Sequence, residues 1–398
     1  MSQWFTGRKV KVAAAAGLVA LLATACAPSP APVAAPDAGD PYILGINAEL
    51  SGPIAFYGTT IRDGVQAWAD AVNADGGIDG HPIELVILDS AGDASRAATN
   101  TAQLATASEV SGIFGNSLSS ACTASTPNAE RYEVPMACLS VAEPNEWVFS
   151  LGPYNPTVAG PALAAALEVS GIDEPRVALA HGNVATSKIL AGLVNEQAAD
   201  AGVELIATEE FELVAADLSA TTSRLIAADP DVIIITGTGP NFVTIQKALR
   251  AASLDVPLVW IDGTGNLSAI VDMDDDNVYA FAVYQLADAD NLEGIASDYV
   301  EAITPFLDEV SDATLANGEY AVGYLTALAW GRALEECGFP CSGADLQPIL
   351  ADLTTDAAPM VDGFGYGNEL HYPYPNWYLY KVSKGGVYDF VNSYPVEF

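Results

Sequence analysis

From Pro41 onward the chain alternates short β-rich runs with segments of helical periodicity, and after about Tyr154 the alternation starts again. In the first series, strands are expected at Tyr42–Asn47, Ile83–Asp89, Gly112–Gly115 and Pro135–Leu139. Helices are expected between them, at Gly58–Asn73, Ala94–Ala107 and Ser119–Tyr132. The first helix shows Ile61, Val65, Trp68, Ala69 and Val72 on one face and ends at Gly76-Gly77. In the second series the expected helices are Ala159–Ser170, Ser187–Ala201, Leu218–Ala228 and Asn241–Ala252. The strands are Arg176–His181, Val203–Ala207, Asp231–Thr236 and Pro257–Ile261. Two successive β-α series predict an α/β protein of two doubly wound, Rossmann-like lobes with parallel sheets. Such sheets bind ligands beyond the carboxyl ends of their strands, so two of them face to face would enclose a cleft.

The first 25 residues read as an export signal: Arg8, Lys9 and Lys11, then the apolar stretch Val12–Ala23, then Ala-Thr-Ala before Cys26. This stretch is too short to span a bilayer, and no uncharged apolar run of spanning length follows it. A cysteine after small residues resembles the bacterial lipobox, although Leu22 stands four places before Cys26 where three is usual. The alternative is an ordinary secretory peptide cut near Ala25. Residues 26–40, rich in Pro and Ala, read as a flexible tether and favour the lipid anchor. Setting Cys26 aside leaves four cysteines, an even number suited to an oxidising compartment. Cys337 and Cys341 are close enough to pair around Gly-Phe-Pro, and Cys122 and Cys138 would then form the other pair, though sequence does not fix connectivity. The formal charge of −37 argues against a nucleic-acid partner and says little about a pocket.

Catalytic motifs are faint. The three histidines, His81, His181 and His371, stand apart from one another and from any HExxH pattern. Gly115-Asn-Ser117-Leu-Ser119 is similar to a nucleophile elbow but lacks its last glycine, and helix-capping serines explain it better. Gly237-Thr-Gly239 is half of a dinucleotide fingerprint, with Phe242 in place of the third glycine and Pro240 removing an amide. Asp272–Asn277 has the opening spacing of a calcium loop, but Asn277 stands where glycine is needed and Val283 where glutamate is needed, so a solvated acidic loop is expected. No metal, cofactor or catalytic set is therefore expected. The strand-to-helix turn at Ser117, Ser119 and Ser120 is different: free amides, hydroxyls and a helix dipole would suit a ligand carboxylate there, with plain capping as the alternative.

Leu50-Ser-Gly-Pro-Ile-Ala-Phe-Tyr57-Gly, Gly64, Val72–Gly80 and Ile83–Asp89 closely resemble the N-terminal segment of the leucine/isoleucine/valine-binding family of periplasmic proteins, with its type I solute-binding fold. Gly323-Tyr-Leu-Thr-Ala-Leu is similar to that family's C-terminal helix. The resemblance implies two lobes joined by a three-crossing hinge around an interlobe cleft. Lobe 1 would hold residues 41–158 and 286–366, and lobe 2 residues 159–285 and 367–398. It also implies a monomeric, non-catalytic receptor that captures a small molecule and hands it to the permease of an ABC importer, lipid-anchored outside the cytoplasmic membrane. Sensory ligand-binding domains share this architecture, but no transmembrane or signalling segment follows up to Phe398. By resemblance, Tyr57 lines one wall, Ser119 with Ser120 holds a ligand carboxylate, and the next strand end contributes Ser140 to Ala142. Ala142 stands where amino-acid binders of the family carry a threonine. In lobe 2, Asp262 would pair with a ligand ammonium. Thr186 and Thr238 fall where the family has aromatics, which suits a larger or more polar ligand than a branched aliphatic amino acid. Tyr320 and Tyr324 could return an aromatic to the cleft from lobe 1, but a place in the helix core explains them better.

Overall fold

The computed structural model describes residues 39–396 apart from 142, 144, 153–154, 216, 264–269, 271–272, 285–317, 356–360, 362 and 384–386. The expected signal, Cys26 and nearly all of the tether lie outside the described residues. So do Ala142 and the side chain of Asp262.

The first series folds as β1 (Tyr42–Ala48), α1 (Ala55–Ala74), β2 (Ile83–Asp89), α2 (Ala94–Ala107), β3 (Gly112–Gly115), α3 (Ser119–Tyr132), β4 (Met136–Cys138) and β5 (Val148–Ser150). Its five strands form one sheet in the order β2-β1-β3-β4-β5, every pair parallel. Central strand β1 shows why it must be covered on both faces. Tyr42, Leu44 and Ile46 join one core cluster, while Ile43 packs against another with Leu104 and Cys122.

The second series begins with α4 (Ala159–Ser170) and continues through β6 (Arg176–Gly182), α5 (Ala185–Gln197), β7 (Glu204–Phe211), α6 (Ser219–Ala228) and β8 (Val232–Thr236). It ends with α7 (Gly239–Ala251), β9 (Leu258–Gly263) and β10 (Val278–Ala282). After α8 (Gly318–Cys337), α9 (Gly343–Asp352) and the short pair β11 (Thr354–Thr355) and β12 (Phe364–Gly365), the chain returns as β13 (Asn376–Ser383) and β14 (Val387–Pro395). The second sheet runs β14-β13-β10-β9-β8-β6-β7. It is parallel from β7 to β10, but β13 and β14 add as antiparallel edge strands. The alternation signal did not reveal this edge. Side chains of β8 alternate between the two layers, with Ile234 facing the α4–α5 side and Ile233 and Ile235 the α6–α7 side.

Two sets of contacts fix the later chain segments on the first half of the molecule. The first is the packing of α8 on α1, which approach closely because each offers glycine at the crossing. A Cβ on Gly323 would lie 2.6 Å from the Ile61 carbonyl oxygen, one on Gly331 would lie 2.5 Å from the Trp68 indole, and one on Gly64 would strike the Tyr320 carbonyl. Tyr320 and Tyr324 are buried in this packing. The second lies where the chain leaves the first sheet. The Tyr374 hydroxyl donates to the Leu151 carbonyl at 2.8 Å, the Tyr366 hydroxyl to the Ser150 carbonyl at 3.0 Å, and the Trp377 indole to Thr157 at 2.9 Å. The Ser150 amide donates to the His371 carbonyl at 2.9 Å. The His371 ring stacks on Phe149 at 4.4 Å.

The sulfurs of Cys122 and Cys138 lie 2.18 Å apart, tying α3 to β4, and those of Cys337 and Cys341 lie 2.04 Å apart across the α8–α9 turn. In the acidic run before β10, Asp274 and Asp276 are exposed as expected, and Asp275 departs from the expectation. Asp275 is almost buried and bonds to Arg250 at 2.8 Å. Burial pushes the Asp275 carboxyl up, but Arg250, Gln246 and the Asn277 amide outweigh it and hold it below the usual range.

Gly323→Val should cost about 2 kcal/mol or more in urea unfolding, because the new side chain meets backbone rather than a movable side chain. A wild-type midpoint would show that α8 can slide off α1. His371 gives a pH test. Burial pushes its imidazole below the ordinary 6.5, against the Val148 and Asn145 backbone groups, which favour the cation. Its folded state thus prefers the neutral ring, and that stability is full above pH ~6.5 and lost as the pH falls towards the lower folded value. Melting temperature should drop between pH 7 and 5.5, and the drop should shrink in His371→Asn, which tolerates the φ of 47° at this position. An identical profile in the variant would place the pH dependence elsewhere.

Candidate functional site

In parallel β-α units every strand ends, and the following helix begins, at the same edge of its sheet. Here the two carboxyl edges border one cavity. From the first sheet come Tyr57 on α1, Ser117, Leu118 and Ser119 at the β3–α3 turn, and Leu139 and Ser140 just after β4. From the second come Val184, Thr186 and Ser187 at the start of α5, Leu213 after β7, Thr236, Gly237 and Thr238 at the β8–α7 turn, and Ile261 in β9. The void is about 630 Å³, counting the mouth open to solvent. Helices α3 and α5, one from each side, approach within 8 Å between Cα atoms.

The structure thus brings Tyr57, Ser119, Ser140, Thr186 and Thr238 to one cavity. Ser120 is exposed and is not in the lining, because the next helical position points some 100° away from Ser119. Asp262 lies near the end of β9, one residue beyond the lining Ile261. Thr238 does not offer a free hydroxyl. It caps α7, exchanging bonds with Asn241, whose amide in turn donates to the Leu213 carbonyl at 3.1 Å. Asn183 accepts from the Leu213 amide at 3.1 Å, so the loop that carries this apolar wall is held from both sides.

Sequence reasoning missed several lining residues, and four missed contributors shape the site most. Ser187 at the start of α5, Leu213 after β7 and Thr236 at the last position of β8 stand where side-chain direction is set by the strand end or turn rather than by a long period. Glu49 is the fourth. It is fully buried just after β1, and its Oε2 accepts from the Ser117 amide at 3.1 Å and the Ser117 hydroxyl at 2.7 Å. This engages Ser117 and leaves Ser119 as the unoccupied serine of the turn. Its other oxygen, Oε1, has no partner among the described residues. Gly58 packs directly on the Glu49 backbone, where a Cβ would lie 2.4 Å from the carbonyl oxygen. A second carboxylate, Asp89, accepts from the Leu50 amide at 2.9 Å and the Ser51 hydroxyl at 2.6 Å, fixing the loop that leads to Tyr57. The Ser51 hydrogen bond lowers its pKa most, burial opposes it, and the Ala91 and Leu50 amides and Arg96 add to the lowering.

The described lining is made of hydroxyls and apolar groups, with no charged side chain. Leu118 and Val184, the N-caps of α3 and α5, make no side-chain cap. Both helices therefore present uncapped amides and the positive ends of their dipoles at the cleft. No histidine appears in the described lining beside Ser117 or Ser119.

A family model described as periplasmic binding protein matches residues 41–387. The chain belongs to this periplasmic binding protein family. Among curated relatives, the leucine-, isoleucine-, valine-, threonine- and alanine-binding protein of Pseudomonas aeruginosa is 25% identical over 58% of this chain. The chain spans 62% and 64% of the length of the two curated relatives it matches first. Among solved periplasmic binding proteins, the branched-chain amino acid transporter substrate-binding protein of Streptococcus pneumoniae, in complex with isoleucine, superposes with TM-score 0.71 at 21% identity. That match covers 88% of this chain and 99% of that one. An ABC transporter solute-binding protein of R. palustris in complex with benzoate superposes with TM-score 0.75 at 17% identity, covering 90% and 97%. These likenesses establish the type I periplasmic binding protein fold, α/β with two lobes.

Glu49→Ala should destabilise the protein by about 2 kcal/mol, since it strips a buried amide and hydroxyl of their shared acceptor. Glu49→Gln, which keeps an oxygen for Ser117, should lose less. Equal unfolding midpoints for the two variants and wild type would show that Glu49 does not hold the turn.

Proposed function

We propose that this protein is an extracytoplasmic solute-binding receptor of an ABC importer, without catalytic activity. The observation that carries this reading is the cavity bordered by the carboxyl edges of two separate α/β sheets, lined from both. A ligand that touches both walls favours the closed arrangement by its differential affinity, and a permease can recognise that arrangement. Lobe 1 would comprise residues 41–158 and 286–366, and lobe 2 residues 159–285 and 367–398. Diacylated Cys26 would anchor the chain outside the cytoplasmic membrane, with residues 26–40 as tether. In that oxidising space Cys122–Cys138 and Cys337–Cys341 would be disulfides, the first bracing the wall that holds Ser119 and Ser140.

The ligand would be an amino acid or an amino-acid-like small molecule, its carboxylate at the Ser119 turn and its ammonium near Asp262. A non-amino-acid carboxylate or amide is the second reading. It is favoured by a described lining of hydroxyls and apolar groups without a charged side chain, and by a solved relative in complex with benzoate.

A thermal-shift screen of the purified protein against amino acids, amides, small carboxylates and sugars tests the proposal. A true ligand at a hundredfold excess over its Kd adds about 2.7 kcal/mol of stability. Hits among α-amino acids that vanish in Asp262→Ala support both ends of the site. Hits confined to compounds without an ammonium keep the receptor and remove Asp262 from that role. No hit in any class would sink the receptor reading.

A further inference from the structure

We infer that the solute carries two anionic ends, one for each wall of the cleft, so that the site takes a dicarboxylate, either free or as an acidic α-amino acid. The inference rests on the receptor reading above and specifies its ligand.

Two observations converge on it. The first is the pair of uncapped helix N-termini described above. Helix α3 has 14 residues and α5 has 13, and they come from opposite sheets to the same cavity. Two more helices start there: α7 is closed by its own Thr238–Asn241 capping box, and in α1 the Ala55 and Tyr57 amides already donate to the Gly52 and Ile54 carbonyls. Thus one amide-rich end is open on each side. Such ends bind anions, because their N–H groups only donate and the dipole is positive there.

The second observation is independent of the helices' direction. The side chains of Ser119, Thr186, Ser187 and Thr236 line the cavity while their residues are only 2%, 2%, 3% and 2% exposed. Their hydroxyls have no hydrogen-bond partner among the described residues. In the open cleft solvent reaches these hydroxyls, and a ligand that displaces that water must replace its hydrogen bonds or leave each group unpaired at about 1–3 kcal/mol. Carboxylate oxygens, which only accept, match these hydroxyls as donors together with the amides of the helix ends beside them. One of the four belongs to the first wall and three to the second, so acceptors are needed at both ends. Between them Leu139, Leu213 and Ile261 offer an apolar middle that suits short methylenes.

A branched aliphatic side chain would fail here. Bound by its carboxylate at Ser119, it would bring methyl groups against Thr186, Ser187 and the open end of α5 and leave those donors unpaired. Sites with buried donors reject analogues that lack the matching acceptor far more strongly than apolar pockets reject an extra methylene.

The test is calorimetric titration of the purified full-length protein with succinate, glutamate, leucine and benzoate, repeated on Ser187→Ala and on Thr186→Val/Ser187→Ala. Succinate or glutamate should bind, and the double variant should weaken that binding at least tenfold. The single Ser187→Ala change should weaken it less, and it keeps the test available should the double variant fold poorly. Binding of glutamate but not succinate would mean that the second anionic end comes with an ammonium; binding of succinate would mean that none is needed. Either supports the two-ended site. Binding of leucine or benzoate without either dicarboxylate would overturn this inference and leave the receptor reading intact. Dicarboxylate binding unchanged in the variants would also overturn it. No binding by any of the four would overturn it too, and the receptor reading itself would then stand or fall on the wider screen.

Discussion

Parallel strand polarity is the constraint from which the site follows. In a β-α-β unit the helix must run antiparallel to the strands, so strand carboxyl ends and helix amino ends share one edge. Each helix start at that edge carries amides that the sheet cannot pair, so a capping side chain, water or a ligand must. When two such sheets are turned edge to edge, their open donors look into the same space. Here α3 and α5 supply them from opposite sides, with apolar residues where a capping side chain would otherwise stand. On the two-ended proposal, the cleft would gain its anion preference locally, in a chain whose net charge is −37. Local geometry, not the global field, decides what such a pocket can hold.

That polarity is useful only if the turns are rigid, and buried polar contacts provide the rigidity. Glu49 takes both donors of Ser117, Asp89 takes those of Leu50 and Ser51, and the Asn183 and Asn241 side chains hold both sides of Leu213. Each contact spends a donor or acceptor that a ligand could otherwise have used. What remains unpaired is then a short set, Ser119, Thr186, Ser187 and Thr236, and selectivity can arise from so few groups because their neighbours are already committed. The same logic applies beyond the cleft. Where the chain leaves the first sheet, buried phenol and indole donors of Tyr366, Tyr374 and Trp377 hold its backbone carbonyls and Thr157.

Much of the fold was legible in the sequence because local signals and tertiary demands agreed. The spans of α2, α3 and α4 follow directly from helical spacing between turn residues, and β2 and β3 from β-branched runs. The glycines of α1 and α8 stood out as motif elements, and the structure gives their physical cause: helix axes too close for a Cβ. The antiparallel edge was not legible. β13 pairs with β10 from about 100 residues further along, and no local period announces such a partner. Strand β5, three residues long, is too short to carry a period at all. In the site, positions tied to a strand-to-helix turn, such as Ser119 and Thr186, could be named. The difference between Ser119 and exposed Ser120, or between free Thr186 and capping Thr238, depends on side-chain direction and on which neighbour takes the hydroxyl. Neither is encoded in composition or spacing.

The replacement of large rings by threonine on the second wall carries more weight in the structure than it did in the sequence alone. Thr186 and Thr238 leave space, but they also divide the labour. Thr238 turns its hydroxyl back to seal α7, while Thr186, with Ser187, keeps α5 open towards the cavity. An aromatic at either place would have supplied contact area with little direction. The hydroxyl pair at an open helix end supplies direction with little area, so closure of the lobes would depend on whether the ligand's far end can accept hydrogen bonds. For a molecule held only at the first wall, the open and closed arrangements differ little in contact energy, and the population shifts little. A molecule that satisfies both ends gains its second set of bonds only on closure. In this geometry, selectivity and the closing signal are therefore set by the same few hydroxyls on the second wall.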